Sequence, residues 1–193
     1  MAGRFFSVKR VNIVGKATRK LCLLAMGTAL FVVLSLCLQV PVFENYYLCL
    51  GYVPMMVFCY YFGPAAGMTV GCGGVILYCL LINGLRGMPG WAAGNLLIGL
   101  VVGLTCRITA QMKNRGARHL LLAASVVVAV AVGILGVKSA VEMLLYAQPI
   151  WLRVGKNLYA FAADVVVLLV SLPICASLEK VIYGKFGDLC ITR

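Results

Sequence analysis

Acid is what this sequence has least of: five Asp and Glu stand against seventeen Lys and Arg, with one histidine, in 193 residues. The lone His119 falls in a polar connector, so no intramembrane Ser-His pair and no histidine-based metal cluster can form. No G-x-x-x-x-G-K-[ST] segment occurs, and Gly133-Ile-Leu-Gly-Val-Lys138-Ser matches it only superficially. Uphill movement of a solute would therefore draw its energy from a partner or an ion gradient. The nine cysteines contain no C-x-x-C pair, and Cys22, Cys37, Cys59, Cys72, Cys79, Cys106 and Cys175 lie in or beside apolar stretches. They read as small buried hydrophobes and not as a disulfide framework. Period-two alternation is also missing, which disfavours a membrane β-barrel. No catalysis, no metal and no cofactor are expected.

What the chain does have is apolar length. It is 63% hydrophobic with 21 glycines, its mean hydropathy is +1.04, and it repeats apolar runs of about 20 residues, enough to cross a bilayer. Backbone groups in lipid must be satisfied within their own segment, so continuous runs predict helices. The expectation is an all-α membrane protein, one compact bundle of six transmembrane helices. Three parts follow: a basic cytoplasmic N-terminal segment at 1–20, a transmembrane domain at 21–182 and a cytoplasmic tail at 183–193. The first apolar run is too long for a secretion signal and lacks a convincing cleavage site, so it reads as a retained span.

The net charge of +12 would suggest nucleic acid in a soluble protein, but its distribution marks topology instead. Thirteen of the seventeen basic residues precede the first span, flank the middle polar loop or close the chain. The positive-inside rule assigns that side to the cytoplasm, with both termini there. Spans are expected near 21–40, 48–62, 64–82, 92–109, 120–146 and 158–178, separated outside by loops at Glu44 to Tyr47, Asn83 to Gly90 and Gln148 to Lys156. Gly63-Pro64 is a turn between two spans, and Pro173 is a candidate kink. Gly63, Gly67 and Gly71, with Gly99 and Gly103, set small residues four apart, a pattern that lets helix backbones approach closely.

Lys138, Glu142 and Asp164 lie inside apolar stretches, where an ionisable group costs several kcal/mol and so pairs or faces a wet cavity. A rise of about 1.5 Å per residue puts Lys138 and Asp164 at similar depth, roughly 10 Å below the outer surface, so they could pair across helices. Glu142 and Tyr146 follow Lys138 on one face, and Asn157, Phe161 and Asp164 share another. These residues read either as a structural ion pair holding two helices or as the floor of an outward-opening site. In the second reading Trp91 and Asn95 add an aromatic surface and an amide, and Tyr46, Tyr47, Arg86, Trp151 and Arg153 lie at the mouth. Aromatics with a few placed polar groups suit a planar or heterocyclic small molecule.

The order of elements carries a resemblance: a basic tail, Ala25-x-x-x-Ala29 on the first span, a long outer loop, a short span with Pro54 ending in Phe62-Gly-Pro-Ala-Ala-Gly67, and a fourth span opened by Gly90-Trp-Ala-Ala-Gly-Asn95. The chain resembles the substrate-binding S component of energy-coupling factor (ECF) vitamin transporters over nearly its whole length. That resemblance implies capture of a vitamin at the outer face of a prokaryotic cell membrane. It also implies docking of Ala25 and Ala29 onto a transmembrane coupling (T) subunit, and inward delivery driven by two cytoplasmic ATPases. Leu144-Leu-Tyr-Ala-Gln-Pro149 is similar to a segment of the branch that includes cobalamin-binding members, with Gln148 in place of an acid, which points to a corrinoid. Folate, riboflavin, thiamine or its pyrimidine precursor, and queuosine precursors stay open. Gly73, Gly74 and Tyr78 stand in span three where many relatives carry an acid.

Two other functions fit the same residues. A non-transporting membrane scaffold would need no ligand and would tolerate loss of Lys138 or Asp164. A stand-alone secondary transporter would use Asp164 as its ion site and work without ATPases, although no inverted repeat is visible in six spans.

Overall fold

A computed structural model describes residues 2–37, 40–43, 46–83, 88–112, 114–147 and 149–191, with backbone alone for 2–14, 40–48, 83 and 115. The expectations for Arg86 and Gln148 lie outside these residues. The chain is a helical bundle with one small addition. Helix α1 runs over Ala2–Cys37, followed by a two-stranded antiparallel ribbon of β1, Val40–Phe43, and β2, Tyr46–Leu48, in which Val40 pairs with Leu48. The first outer loop was expected to be irregular. Its Val-Pro-Val-Phe and Tyr-Tyr-Leu runs are short β-forming segments, and they pair.

Helix α2, Tyr52–Phe62, has only eleven residues, eight of them buried. At about 1.5 Å per residue it covers about half the hydrocarbon thickness. It can be so short because it is enclosed by other helices, where non-helical flanking backbone is tolerated. Pro54 sits in its first turn, where an N–H has no helical partner to lose. Gly63, at φ +88° and ψ −173°, turns the chain in a single residue, a conformation open to glycine alone. Pro64 then opens α3, Pro64–Tyr78.

Helix α3 continues into a π-helical turn, Cys79–Asn83. Helix α4 spans Met88–Thr109 and α5 spans Arg115–Val130, capped by Asn114, whose side chain accepts from the backbone N–H groups of Gly116 and Ala117. A π-helical segment, Ala131–Lys138, joins α5 to α6, Ser139–Tyr146. Helix α7, Ile150–Phe186, follows after a break of three residues and runs unbroken through Pro173. The broad outer loop expected between the last two spans is thus a tight corner, and Trp151, Arg153, Lys156 and Asn157 are helical.

Five helical stretches are long and apolar enough to cross a membrane, and α2 is a shorter apolar helix. Many leucines and valines are exposed on their outer faces, including Leu21, Leu81, Leu120, Leu144 and Val170, as lipid-facing surfaces require. The glycine pattern forms the α3–α4 seam. A Cβ on Gly99 would lie 2.7 Å from the Met68 nitrogen, and one on Gly103 would lie 2.4 Å from the Pro64 Cα. Neither position has room for a methyl group.

Candidate functional site

Where α2, α4, α6 and α7 converge, the apolar bundle gathers polar groups. The first turn of α4 is pressed onto α6, since a Cβ on Gly90 would meet the Glu142 Cγ and the Lys138 carbonyl oxygen, each at 3.1 Å. That approach sets the next residue, Trp91, against α3 and α2. Its indole stands edge-on to Tyr78 at 5.7 Å between centroids, and its Nε1–H donates to the Tyr52 hydroxyl at 3.0 Å. Tyr52 is fully buried, with Phe31 edge-on at 6.1 Å. The Asp164 carboxylate of α7 lies close enough to the same hydroxyl to interact with it. One phenol thus accepts from α4 and faces the carboxylate of α7.

Asn95 lies one helical turn beyond Trp91 and is fully buried beside the same hydroxyl. Neither its Oδ1 nor its Nδ2 makes a well-formed hydrogen bond to a described residue. A buried primary amide left so costs about 1–3 kcal/mol per unmet group, and the Tyr52 hydroxyl is the polar group beside it. Lys138, at the end of the π-helical segment, is half-buried and sits in the combined field of Glu142, Asp164 and Arg153. Lys138 and Asp164 lie close enough for each to feel the other's charge.

The close ion pair on this face is a different one. Arg153 of α7 approaches Glu142 of α6, Nη1 to Oε2 at 3.5 Å, with side chains 19% and 8% exposed. The Arg153 guanidinium also lies over the Tyr146 ring at 4.8 Å, while its Nε is buried without a partner. Asn157 ties the group together, donating from Nδ2 to the Ser139 Oγ at 2.9 Å and to the Glu142 Oε2 at 3.3 Å. Arg153, Asn157 and Asp164 fall on one face of α7 at helical spacing, with Arg153 nearest the corner.

Of the residues expected in the site, Trp91, Asn95, Lys138, Glu142, Tyr146, Arg153, Asn157 and Asp164 come together in two adjoining groups. Trp151 does not join them: it is 84% exposed on the outer face of α7. Tyr46 and Tyr47 are placed on β2, and their side chains lie outside the described residues. Two residues escaped the sequence reading, Tyr52 and Ser139. The available signal for Tyr52 was a tyrosine two residues before Pro54 in a span otherwise too short to cross, and for Ser139 a hydroxyl beside Lys138.

Among the described residues no group of three or more His, Cys, Asp or Glu could hold a metal. The arrangement offers aromatic edges, one spare amide and opposed charges in an apolar surround, which is binding chemistry. A multi-pass membrane bundle with such an internal group is a membrane-embedded binding protein in its class.

Comparison with known proteins takes this further. The family model described as ECF-type riboflavin transporter, S component, matches residues 15–180. The chain belongs to this family of ECF transporter S components, which are transporter subunits and not enzymes. In fold it is similar to the S component for biotin from an ECF-type ABC transporter, known from a crystal structure at 2.1 Å, with a TM-score of 0.62 and 16% identity over 86% of this chain and 93% of that one. No curated protein matches the chain in sequence.

Proposed function

We propose that this chain is the substrate-capture subunit of an ATP-driven ECF uptake system in a prokaryotic plasma membrane. It binds a vitamin or cofactor precursor at the outer face and delivers it inward with a coupling subunit and two cytoplasmic ATPases. In this reading α2 counts as a sixth pass and both termini are cytoplasmic, which the clustering of basic residues supports. Ala25 and Ala29, exposed on α1, are the docking contacts for the coupling subunit.

The observation that carries the reading is the spare hydrogen-bonding capacity of Asn95 within the Tyr52–Trp91–Asp164 group. An unmet amide oxygen beside an unmet amide N–H matches a ligand edge with a carbonyl next to an N–H, and Trp91 with Tyr78 supplies aromatic surface. Flat heterocycles such as a flavin carry such an edge, in keeping with the family's description. The corrinoid reading retains its own support in Leu144 to Pro149, where Ala147 takes a left-handed conformation, φ 49° and ψ 34°, at the end of α6. Trp91, Asn95, Lys138 and Asp164 are the ligand contacts in either case. Glu142, Tyr146, Arg153 and Asn157 form the wall, and Tyr46, Tyr47, Arg86 and Trp151 the approach.

The deciding experiment is small-molecule mass spectrometry with an absorbance spectrum on detergent-purified protein from a vitamin-rich host. A stoichiometric flavin, corrinoid or other vitamin is the expected result, and the two chromophores are told apart by colour alone. Repeated recovery of folded, ligand-free protein that also ignores added vitamins would transfer the reading to a membrane scaffold.

A further inference from the structure

At the end of the bundle away from Trp91 and Asn95, a cavity of about 350 Å³ lies between the α2–α3 corner at Phe62 to Pro64, Arg107 in the last turn of α4, Gln111 just past its end, and residues 189–191. The chain has been folded back to make it. The backbone N–H of Ile191 donates to the Tyr61 carbonyl at 2.7 Å, and the Tyr183 hydroxyl donates to the Ile191 carbonyl at 3.4 Å. Farther out, Arg19 holds Asp188 at 3.0 Å and also donates to the Lys185 carbonyl at 3.4 Å.

The chemistry inside is one-sided. No acid lines the cavity, and the acid nearest in sequence, Asp188, is already matched to Arg19. Arg107, in the last turn of α4, and Gln111, in the turn that follows, are both exposed, and neither has a hydrogen bond or ion pair with another described residue. On the same face of α4, Leu100, Leu104 and Ile108 are 37%, 42% and 69% exposed. An apolar stripe of about two turns therefore leads up to a cation with no ion-pair partner among the described residues, and to an amide, at the mouth of a cavity. A molecule complementary to this surface has a long apolar part and an anionic head.

We propose that the cavity is a binding site for an anionic phospholipid, with the phosphate on Arg107 and Gln111 and an acyl chain along Leu100, Leu104 and Ile108. The guanidinium supplies charge-assisted hydrogen bonds to phosphate oxygens. The basic end of the bundle faces the leaflet in which anionic lipids attract cationic residues. The site shares no residue with the polar group around Tyr52 and Glu142. It rests on the membrane orientation proposed above and not on the identity of the vitamin.

The test uses the full chain in detergent, titrated with phosphatidylglycerol or phosphatidylcholine and read by native mass spectrometry. Wild type is expected to retain one phosphatidylglycerol with about fivefold preference, the scale of one basic residue at an anionic surface. Arg107→Gln should bring that preference close to one, and Gln111→Leu should reduce it. Lys156→Gln, at an exposed basic position on the far end of α7, should keep it. In vesicles, alkylation of Cys190, which borders the cavity, should be slower when phosphatidylglycerol is present. Equal retention of the two lipids, or an undiminished preference in Arg107→Gln, would overturn the proposal. Displacement of the lipid by millimolar inorganic phosphate would replace it with a site for a free anion.

Discussion

The α3–α4 seam and the polar group beside it draw on the same helix and are opposite in character. Along α4, Gly99 and Gly103 press backbone on backbone, with no space for one added carbon. One and two turns earlier, Asn95 and Trp91 face a region with spare polar atoms. Of the four buried side-chain nitrogens and oxygens without a partner among the described residues, three belong to Asn95 and Arg153. Rigidity and unmet bonding capacity thus occupy successive turns of one helix. The tight seam fixes where α4 lies, and a helix so fixed cannot shift to let the Asn95 amide settle onto a different neighbour.

The sharpest way to break the contrast is to attack the seam. Gly103→Leu would drive a side chain into the Pro64 backbone at the α2–α3 corner, where nothing can rotate away. Overpacking usually costs about 1–3 kcal/mol, and more where backbone is the obstacle. The variant is expected to lose its monodisperse peak in detergent gel filtration. Gly155→Ala, where an added Cβ meets nothing within 4 Å, is expected to behave as wild type. A well-folded Gly103→Leu would show that the seam yields.

A smaller effect is expected from the polar side. Tyr52→Phe strips the hydroxyl that accepts from the Trp91 Nε1 and faces Asp164, leaving the buried indole N–H short of a partner at a cost of about 1–3 kcal/mol. Asp164→Asn removes the charge that faces the same hydroxyl. Because the two groups interact, the double variant should cost less than the two single losses added, by about 1 kcal/mol in a thermal-unfolding cycle. Strict additivity would show that the phenol and the carboxylate are not coupled.

Much of this division was legible before any coordinates. Charges inside apolar runs marked Lys138, Glu142 and Asp164, and helical spacing grouped them with Tyr146 and Asn157. Glycines four apart marked the seam. What escaped detection has physical reasons. The π-helical segments at Cys79–Asn83 and Ala131–Lys138 widen a helix without changing its apolar composition, so periodicity does not register them. The corner before α7 was read as a loop because Trp151, Arg153 and Lys156 are polar or interfacial, yet such residues are equally suited to a helix emerging from the hydrocarbon. Tyr52 looked like apolar lining, because its hydroxyl acquires meaning only from Trp91 and Asp164, both distant in sequence. Pairing was the least readable feature: Arg153, expected at the mouth, and Glu142, expected in the floor, form an ion pair, and the guanidinium also lies over Tyr146.

The smallest effect on stability, and the most specific on function, is expected on α1. Ala25 and Ala29 are exposed, as are Met26 and Leu30, so a larger side chain there meets lipid and not the bundle. Ala29→Trp should therefore leave the unfolding temperature of the isolated protein and its ligand content unchanged, since surface substitutions away from packed features cost within about 0.5 kcal/mol. If the stripe is a docking face, the same indole would hold two helices apart where small residues allow close approach, and helix packing in lipid depends on that approach. Co-purification with the coupling subunit is the measurement. Its loss in Ala29→Trp, with Gly155→Ala retaining it, would divide the molecule into a face that binds the motor and a chamber that binds the solute. Undiminished recovery of the coupling subunit would mean that docking uses another face, and the exposed alanines would then be ordinary lipid-facing residues.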